Sequence, residues 1–216
     1  MMNKGKKAFI KEWGFHRFVF AYIMLKMKHF LGFRFSIVFG KMINHSGVKK
    51  FSESGYSFRP VEKADFENIP DLRVLDLTRS FIEKAKLRKD QCFGAFCQKR
   101  LVGYSWSTIK PVEIDDDVYL SFNDSCYYRY KNFVLPEHRG RGLIQKIKEI
   151  DISDNSKNLR TKIFSCVESH NFPSLNAEKK EGNLKLGFSL YIDNKVGFYS
   201  WSSTKAKQLG LRVYKS

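Results

Sequence analysis

The sequence predicts an α+β fold (α/β in the broad sense) in which helices flank a mixed, mainly antiparallel sheet. Short strand-like runs occur in pairs separated by turn residues, and helical patterns lie between the pairs. The composition agrees, because 43% of the 216 residues are hydrophobic and 28% are charged, which is the balance of a globular chain. Disordered, collagen-like and low-complexity classes are therefore excluded.

Residues 1–52 are predicted to form a basic, aromatic-rich helical extension. The chain carries 39 Lys or Arg against 22 Asp or Glu, a net charge of +17, and Glu12 is the one acid among the first 52 residues. From Phe15 to Met27, apolar residues occupy nearly the whole helical circumference, so this helix needs burial on several sides. Packing on the rest of the protein, insertion into an anionic membrane interface and binding of a protein partner all remain open.

Residues 53–216 are predicted to form the main domain. In its first half, turn residues and hydrophobic periodicity predict a connector at 47–55, a strand at 56–60, a helix opening at 64–65, one or two helices at 72–89, and a hairpin of 92–97 with 101–106. Its second half is predicted to contain an acidic loop at 111–117, strands at 118–122, 126–135 and 162–167, helices from 143 and at 174–185, and a hairpin of 187–192 with 196–201.

The four cysteines and the hydropathy pattern bear on location. The cysteines form no CxxC pair and lie near no His cluster, so we expect reduced, buried thiols and no metal site. No uninterrupted apolar run reaches the ~18 residues of a membrane span, and no signal-peptide pattern is present. We expect a cytoplasmic protein, with peripheral membrane contact through residues 1–52 as an alternative.

The most informative stretch is a glycine turn between a strand and a helix. The predicted strand ends at Pro136, Arg139-Gly140-Arg141-Gly142 follows, and Leu143 and Ile144 begin an apolar helical pattern. Glycines let backbone amides approach a ligand closely, and a helix directs its positive N-terminus to the same place. The turn predicts a phosphate or pyrophosphate cradle, with a basic surface turn as the alternative. It is neither a P-loop nor a dinucleotide fingerprint, because neither spacing is present.

This stretch resembles the acyl-CoA-binding motif of the GNAT superfamily of N-acetyltransferases. Val134-Leu135-Pro136 matches the end of the family's fourth strand, and Arg139 to Leu143 matches its pyrophosphate motif. The later Asn171 with Ser174, and Lys185-Leu186-Gly187-Phe188, also follow the family's order. The resemblance extends from about residue 56 to 201 and implies a GNAT-like domain at 53–216. It also implies splaying of the strands near 126–135 and 162–168.

The resemblance implies a cofactor-binding set with acetyl-CoA (acyl-CoA) as co-substrate and no metal. The main chain of Phe133 and Leu135 would bind the pantetheine, and the amide of Val134 or a neighbour would polarise the thioester carbonyl. The residues assigned to the cofactor are Phe133, Val134, Leu135, Arg139, Gly140, Arg141, Gly142, Leu143, Ile144, Asn171 and Ser174.

Several departures from the family's pattern affect the catalytic assignment. Ile144 stands where the family has a small residue, Asn183 stands where a tyrosine often serves as the general acid, and fifteen residues separate Asn171 from Gly187. The fourth strand also lacks the family's usual glutamate base. The catalytic candidates are therefore Glu168 or His170, or water relayed by Tyr128 or Tyr130, as base, and Tyr191 or Tyr128 as acid.

The predicted function is transfer of an acetyl or other acyl group from CoA to an amine, either a small molecule or a glycan. Residues 1–52 connect it with a membrane-linked pathway such as surface-glycan or lipid assembly. Two alternatives remain open: an acidic acyl carrier protein as donor, attracted by the net charge of +17, and a non-catalytic acyl-CoA-binding module. No nucleic-acid-binding motif accompanies the charge. The sequence does not specify the acceptor, the acyl chain length or the oligomeric state.

Overall fold

A computed structural model describes residues 4–43, 55–155 and 161–216. The predicted connector at 47–55 lies outside the described residues except for Gly55. The chain divides into two compact units. The first comprises residues up to Lys41 with Pro111–Asn123 and Ser165–Ser216, and the second comprises Met42–Lys110 with Asp124–Phe164.

The helices and strands follow the predicted alternation. In chain order they are α1 (Lys4–Trp13), α2 (Phe15–Leu31), β1 (Phe33–Met42), β2 (Tyr56–Pro60), α3 (Lys63–Glu67), α4 (Arg79–Arg88), β3 (Gln91–Cys97), β4 (Arg100–Thr108), β5 (Val112–Asp115), β6 (Val118–Ser121), β7 (Cys126–Val134), α5 (Leu143–Asn155), β8 (Lys162–Glu168), α6 (Phe172–Lys180), β9 (Leu184–Asn194), β10 (Gly197–Ser202), α7 (Thr204–Lys207) and β11 (Arg212–Lys215). Short 3-10 turns occupy Leu72–Leu75 and Pro136–His138.

The second unit is built on the strand order β2-β3-β4-β7-β8, in which β8 contributes residues 162–164, and the remaining residues of β8 belong to the first unit. The pairs β2–β3, β3–β4 and β4–β7 are antiparallel, whereas β7–β8 is parallel. The predicted hairpin is β3 with β4, and the α+β class with a mixed, mainly antiparallel sheet is confirmed. The core of this unit is aromatic: Trp106 is 2% exposed, stacks on Phe66 and meets Phe81 edge to face.

The first unit contains β10, β9 and β1 as an antiparallel group. β1 also forms a hydrogen bond with the residue that follows β8: the Ser169 N–H donates to the Phe35 carbonyl at 2.8 Å. A separate three-stranded sheet has the order β11-β6-β5. β5 forms within the predicted acidic loop, because Val112 is buried and pairs with Leu120 across the ladder.

Residues 33–42 correct the expectation of a wholly helical extension. They form β1, which pairs with β9 from Phe33↔Ile192 to Gly40↔Leu184. Gly32 separates the helix from the strand, with φ +62°, and an added Cβ there would lie 1.8 Å from the Asp193 carbonyl oxygen. Glycine is therefore required for the change of direction. Val38 and Phe39 of β1 are buried, whereas Met42 at its end is 58% exposed.

Helices α1 and α2 pack around one aromatic side chain, Phe172, at the start of α6. Its ring lies 6.0 Å from Phe9, 6.1 Å from Trp13 and 6.3 Å from Phe20 between centroids. Ala21 and Met24 of α2 are buried. Part of the predicted extension is therefore docked on its own unit. Within the described ranges, every helix is too short or too polar to cross a bilayer.

A polar network lies inside the second unit. Asp151 of α5 is fully buried and accepts hydrogen bonds from the Tyr127 hydroxyl and, at 3.3 Å, from the Ser107 hydroxyl. The Arg129 guanidinium lies 3.4 Å from the same carboxylate and is 4% exposed. Burial raises the pKa of Asp151, whereas the guanidinium opposes that rise. The network ties α5 to the sheet through charges that have no access to water.

Candidate functional site

β7 carries a β-bulge at the point where its parallel pairing ends. Trp106 pairs with Lys131 and the next residue, Ser107, pairs with Arg129, so Tyr130 is the extra residue on β7. The parallel ladder with β8 runs from Cys126↔Lys162 to Tyr128↔Phe164, and no further pair occurs in the described part of the chain. A bulge bends its strand and increases the local twist. Within the described part of the second unit, β7 from Arg129 onward pairs with β4.

The end of β7 has one main-chain edge bonded to β4 and one edge turned away from it. The Leu135 N–H donates to the Val102 carbonyl at 2.9 Å. Because N–H and C=O groups alternate between the two edges of an extended chain, Phe133 also faces β4 and Val134 faces the other edge. The Val134 carbonyl accepts from Arg139 Nε at 3.0 Å. The main chain of Phe133 and Leu135, which was predicted to bind pantetheine, therefore faces β4, and the amide predicted to polarise the thioester, that of Val134, lies on the edge away from β4.

The glycine turn is open. Gly140 has φ +78° and Gly142 has φ +71°, and an added Cβ at either residue would meet nothing within 4 Å. Both are exposed. α5 begins at Leu143, whose side chain is 2% exposed and anchors the helix start in the core. The first N–H groups of a helix have no partner within it, so this turn presents backbone donors beside open space.

The two arginines of the turn have different surroundings. Arg139 connects the turn to β7, because its Nε donates a hydrogen bond to the Val134 carbonyl. Its guanidinium lies 5.7 Å from the centroid of the Phe133 ring. Arg141 is exposed and lies 5.9 Å from the Tyr56 ring, whose hydroxyl is 2.8 Å from His138 Nδ1. Arg141 is therefore the more accessible cation. Ile144, the departure from the family's small residue, packs partly buried against the core.

In the first unit, the end of β8 places Glu168 between two basic groups. Its carboxylate lies 2.6 Å from Lys28 Nζ and 3.3 Å from His170 Nε2. The His170 Nδ1 atom is buried and has no hydrogen-bond partner within the described residues. The two predicted base candidates are therefore in contact with each other. No sequence signal identifies Lys28, because its partner Glu168 lies 140 residues later in the chain.

Asn171 caps α6. Its side-chain oxygen accepts from the Ser174 N–H at 3.2 Å, which brings together the Asn and Ser residues predicted to bind the cofactor. An Asn at this position satisfies one of the free N–H groups of the first turn. The spacing of these two residues thus has a local structural cause, whether or not a ligand is bound.

We expect Asn171→Ala to lower the free energy of unfolding by about 1 kcal/mol, because the cap is lost. Asn171→Asp keeps an acceptor oxygen and should retain most of that stability. Urea denaturation of the two variants and the wild type measures the difference. Equal losses in both variants would contradict the capping role.

Tyr191 of β9 belongs to a hydrogen-bonded group in the first unit. Its hydroxyl donates to Asp115 at 3.2 Å, and Asp115 accepts from Arg34 Nε at 2.9 Å. Burial raises the pKa of Tyr191, while the bond to Arg34 opposes the rise. Tyr191 therefore keeps its proton at neutral pH. A protonated, oriented hydroxyl is what a general acid requires.

The tyrosines of β7 are buried to different extents. Tyr128 is 4% exposed and its ring stacks on Phe164 with centroids 4.8 Å apart. The hydroxyl of Tyr130, at the bulge, donates to Asp90 at 2.8 Å, and burial raises its pKa. Asn183, which stands at the family's tyrosine position, bonds Glu178 at 2.6 Å and stabilises the end of α6.

A surface cavity of about 850 Å³ lies elsewhere in the second unit. It is bounded by α3, the 3-10 turn at Leu72–Leu75 and α4. Phe66, Leu77 and Ile82 supply apolar lining, and charged side chains such as Arg79 and Lys86 line the rest. None of the residues predicted for the cofactor or for catalysis lines this cavity.

No protein-family model matches the chain, and no curated protein matches its sequence. Among solved structures, a tandem GNAT protein from the clavulanic acid biosynthesis pathway is 14% identical, with a TM-score of 0.50 over 78% of this chain and 53% of that one. This chain thus spans about half of the tandem protein. A GNAT-family acetyltransferase from Novosphingobium aromaticivorans is 13% identical over 79% of this chain and 66% of that one, with a TM-score of 0.46. Another GNAT-family acetyltransferase, from Elizabethkingia anophelis with acetyl-CoA bound, is 11% identical over 59% of this chain and 75% of that one, with a TM-score of 0.42.

Proposed function

We propose, from its GNAT-type fold, that this protein is an acyl-CoA-dependent N-acyltransferase that moves an acetyl or other acyl group to an amine. The observation that carries the proposal is the bulged strand β7 leading into the open turn at Gly140 and Gly142. That arrangement offers a free main-chain edge for an extended ligand and, directly after it, backbone donors for an anion.

The residues of this region fit the chemical parts of acyl-CoA. The Val134 amide is the main-chain donor on the free edge and would polarise a thioester carbonyl. The turn from Arg139 to Gly142, with the amides of Leu143 and Ile144, would hold the pyrophosphate, and the space around both glycines leaves room for it. Asn171 and Ser174 are proposed as further cofactor contacts. Acyl-CoA, when bound, supplies the activated acyl group, and no metal is needed in this scheme.

The acid and the base are proposed from the catalytic candidates that the sequence offers. Glu168 or His170, whose side chains lie 3.3 Å apart, would accept the proton of the amine. Tyr191 would give its proton to the departing thiolate, and Tyr128 is the alternative acid. We prefer Tyr191, because its hydroxyl is oriented by its hydrogen bond to Asp115.

The acceptor class is part of the proposal. We propose a small-molecule or glycan amine, in a pathway of surface-glycan or lipid assembly that operates near a membrane. Its support is the basic and aromatic character of α1 and α2, where Glu12 is the one acid.

An acyl carrier protein is a second candidate donor, favoured by the net charge of +17. Isothermal titration with CoA, followed by turnover of acetyl-CoA and of acyl carrier protein with a panel of amines, tests the proposal. We expect saturable CoA binding and acceptor-dependent release of the thiol. Binding without turnover would assign the chain as a non-catalytic module, and turnover of acyl carrier protein alone would change the donor. Absence of CoA binding would refute the proposal.

We expect Glu168→Gln to lower kcat about a hundredfold and to leave the affinity for acyl-CoA unchanged, because the amide no longer supports the charge of a protonated imidazole. Lys28→Met is the matched control, since it removes the other partner of the same carboxylate. Steady-state kinetics of both variants measure the difference. An equal loss in the two variants would mean that Glu168 acts only as an ion-pair partner of α2.

A further inference from the structure

The outward face of α2 is apolar. A helix on a protein surface ordinarily turns polar residues toward water. At 100° per residue, five exposed apolar residues of α2 fall within an arc of about 100°. They are Phe15, Val19, Tyr22, Ile23 and Phe30, and Phe15 and Phe30 are 66% and 68% exposed. We name this surface the α2 face. Hydrophobic area of this extent on a helix indicates an interaction surface.

The opposite side of α2 fixes its orientation. Ala21 and Met24 are buried in the first unit, and Lys28 forms its ion pair with Glu168. Lys28 lies roughly 180° around the helix from the centre of the α2 face. The helix therefore cannot turn to bury the apolar residues without losing these contacts. The exposure of the α2 face is a property of the folded unit.

The charge around the α2 face is positive. Helices α1 and α2 together contain seven Lys or Arg and one acid, Glu12. Lys26 lies on the α2 face itself, with its ammonium 5.6 Å from the Tyr22 ring and 5.1 Å from the Phe30 ring. A lysine can lay its methylene chain along apolar surface while its ammonium reaches outward. The partner that fits must therefore accept hydrocarbon and carry negative charge.

We propose that the α2 face docks onto the surface of an anionic membrane. Such a helix lies in the interface, with its apolar side chains inserted ~5–10 Å and its cations among the headgroups. No described helix is long and apolar enough to span a bilayer, which agrees with a surface orientation. A second copy of the chain would bring two positively charged helix pairs together. Nucleic acid would leave the aliphatic side chains of Val19 and Ile23 without an apolar partner.

The test is co-sedimentation of the full chain with vesicles of phosphatidylcholine alone or with about one third phosphatidylserine. We expect binding to the anionic vesicles and little to the neutral ones. Salt should weaken it as the screening length falls from about 10 Å at 0.1 M to about 3 Å at 1 M. Ile23→Asp should lower the partition coefficient about tenfold or more, because a charge enters the apolar layer.

Leu87→Asp is the matched control, since Leu87 is 84% exposed on α4 and the same charge is added there. It should bind vesicles like the wild type. Equal losses in the two variants would overturn the assignment to the α2 face, as would equal binding to neutral vesicles. Two further results would overturn it if the wild type does not bind vesicles. One is self-association in sedimentation velocity that Ile23→Asp abolishes. The other is oligonucleotide binding that Ile23→Asp abolishes. The CoA affinity of Ile23→Asp is measured in parallel and tests the proposed enzyme function separately, because vesicle binding does not require CoA binding.

Discussion

Replacing Gly142 by aspartate is expected to weaken CoA binding on the order of a thousandfold. A carboxylate would enter the open space beside the turn, next to the position proposed for the pyrophosphate. Two like charges about 5 Å apart repel by about 3 kcal/mol at an effective dielectric constant of 20, and the pyrophosphate carries more than one charge. Calorimetric titration with CoA gives the dissociation constants directly.

Gly142→Asn is the control for this experiment. The φ of +71° at Gly142 disfavours most side chains, but Asn and Asp tolerate it about equally and have nearly the same volume. We expect the Asn variant to bind CoA within about tenfold of the wild type, since it adds bulk without charge. If Asp and Asn have the same effect, charge is not the cause. If a folded Asp variant binds CoA like the wild type, the turn does not hold the pyrophosphate.

The second large effect is expected inside the second unit. Asp151→Asn should lower the free energy of unfolding by about 3–5 kcal/mol, because the buried Arg129 guanidinium loses its counter-charge. An arginine cannot relieve this by losing its proton. Thermal and urea denaturation measure the loss. Glu67→Gln is the control, since it breaks the exposed Lys63–Glu67 pair and should cost about 0.5 kcal/mol or less.

Replacing both charges shows whether the ion pair adds stability or only offsets the cost of burying its two charges. The double variant Arg129→Met with Asp151→Leu removes both buried charges and should recover most of the stability lost by Asp151→Asn. A loss under about 1 kcal/mol in Asp151→Asn would show that the network contributes little. A double variant as unstable as the single one would show that the hydrogen bonds that Asp151 accepts from Tyr127 and Ser107 matter more than the ion pair.

The sequence predicted the elements whose signals are local. The β3–β4 hairpin was identified because polar residues interrupt two apolar runs, and its loop residues Gln98 and Lys99 adopt positive φ as a tight turn requires. The turn at Gly140 and Gly142 was identified because two glycines separate a strand from a helix. In both places the residue types determine the backbone conformation without help from distant parts of the chain.

The elements that the sequence did not predict depend on distant partners. β1 is a strand because β9 pairs with it, whereas its aromatic residues continue the pattern of the preceding helix. The bulge at Tyr130 is defined by two strands together, so no single run of residues encodes it. The contact of Lys28 with Glu168 likewise joins an early helix to a late strand. These are tertiary facts, and hydrophobic periodicity carries no information about them.

The pairing of β1 with β9 also determines when the protein can fold during its synthesis. During synthesis β1 leaves the ribosome well before its partner strand β9, because the paired Phe33 and Ile192 are 159 positions apart in the chain (192 − 33). Pairing between segments so far apart in sequence is slow, because a long chain must be closed before any contact forms. Until β9 has been made, the apolar residues of β1 lack their partner strand, and we expect the nascent chain to be most prone to aggregation in this interval.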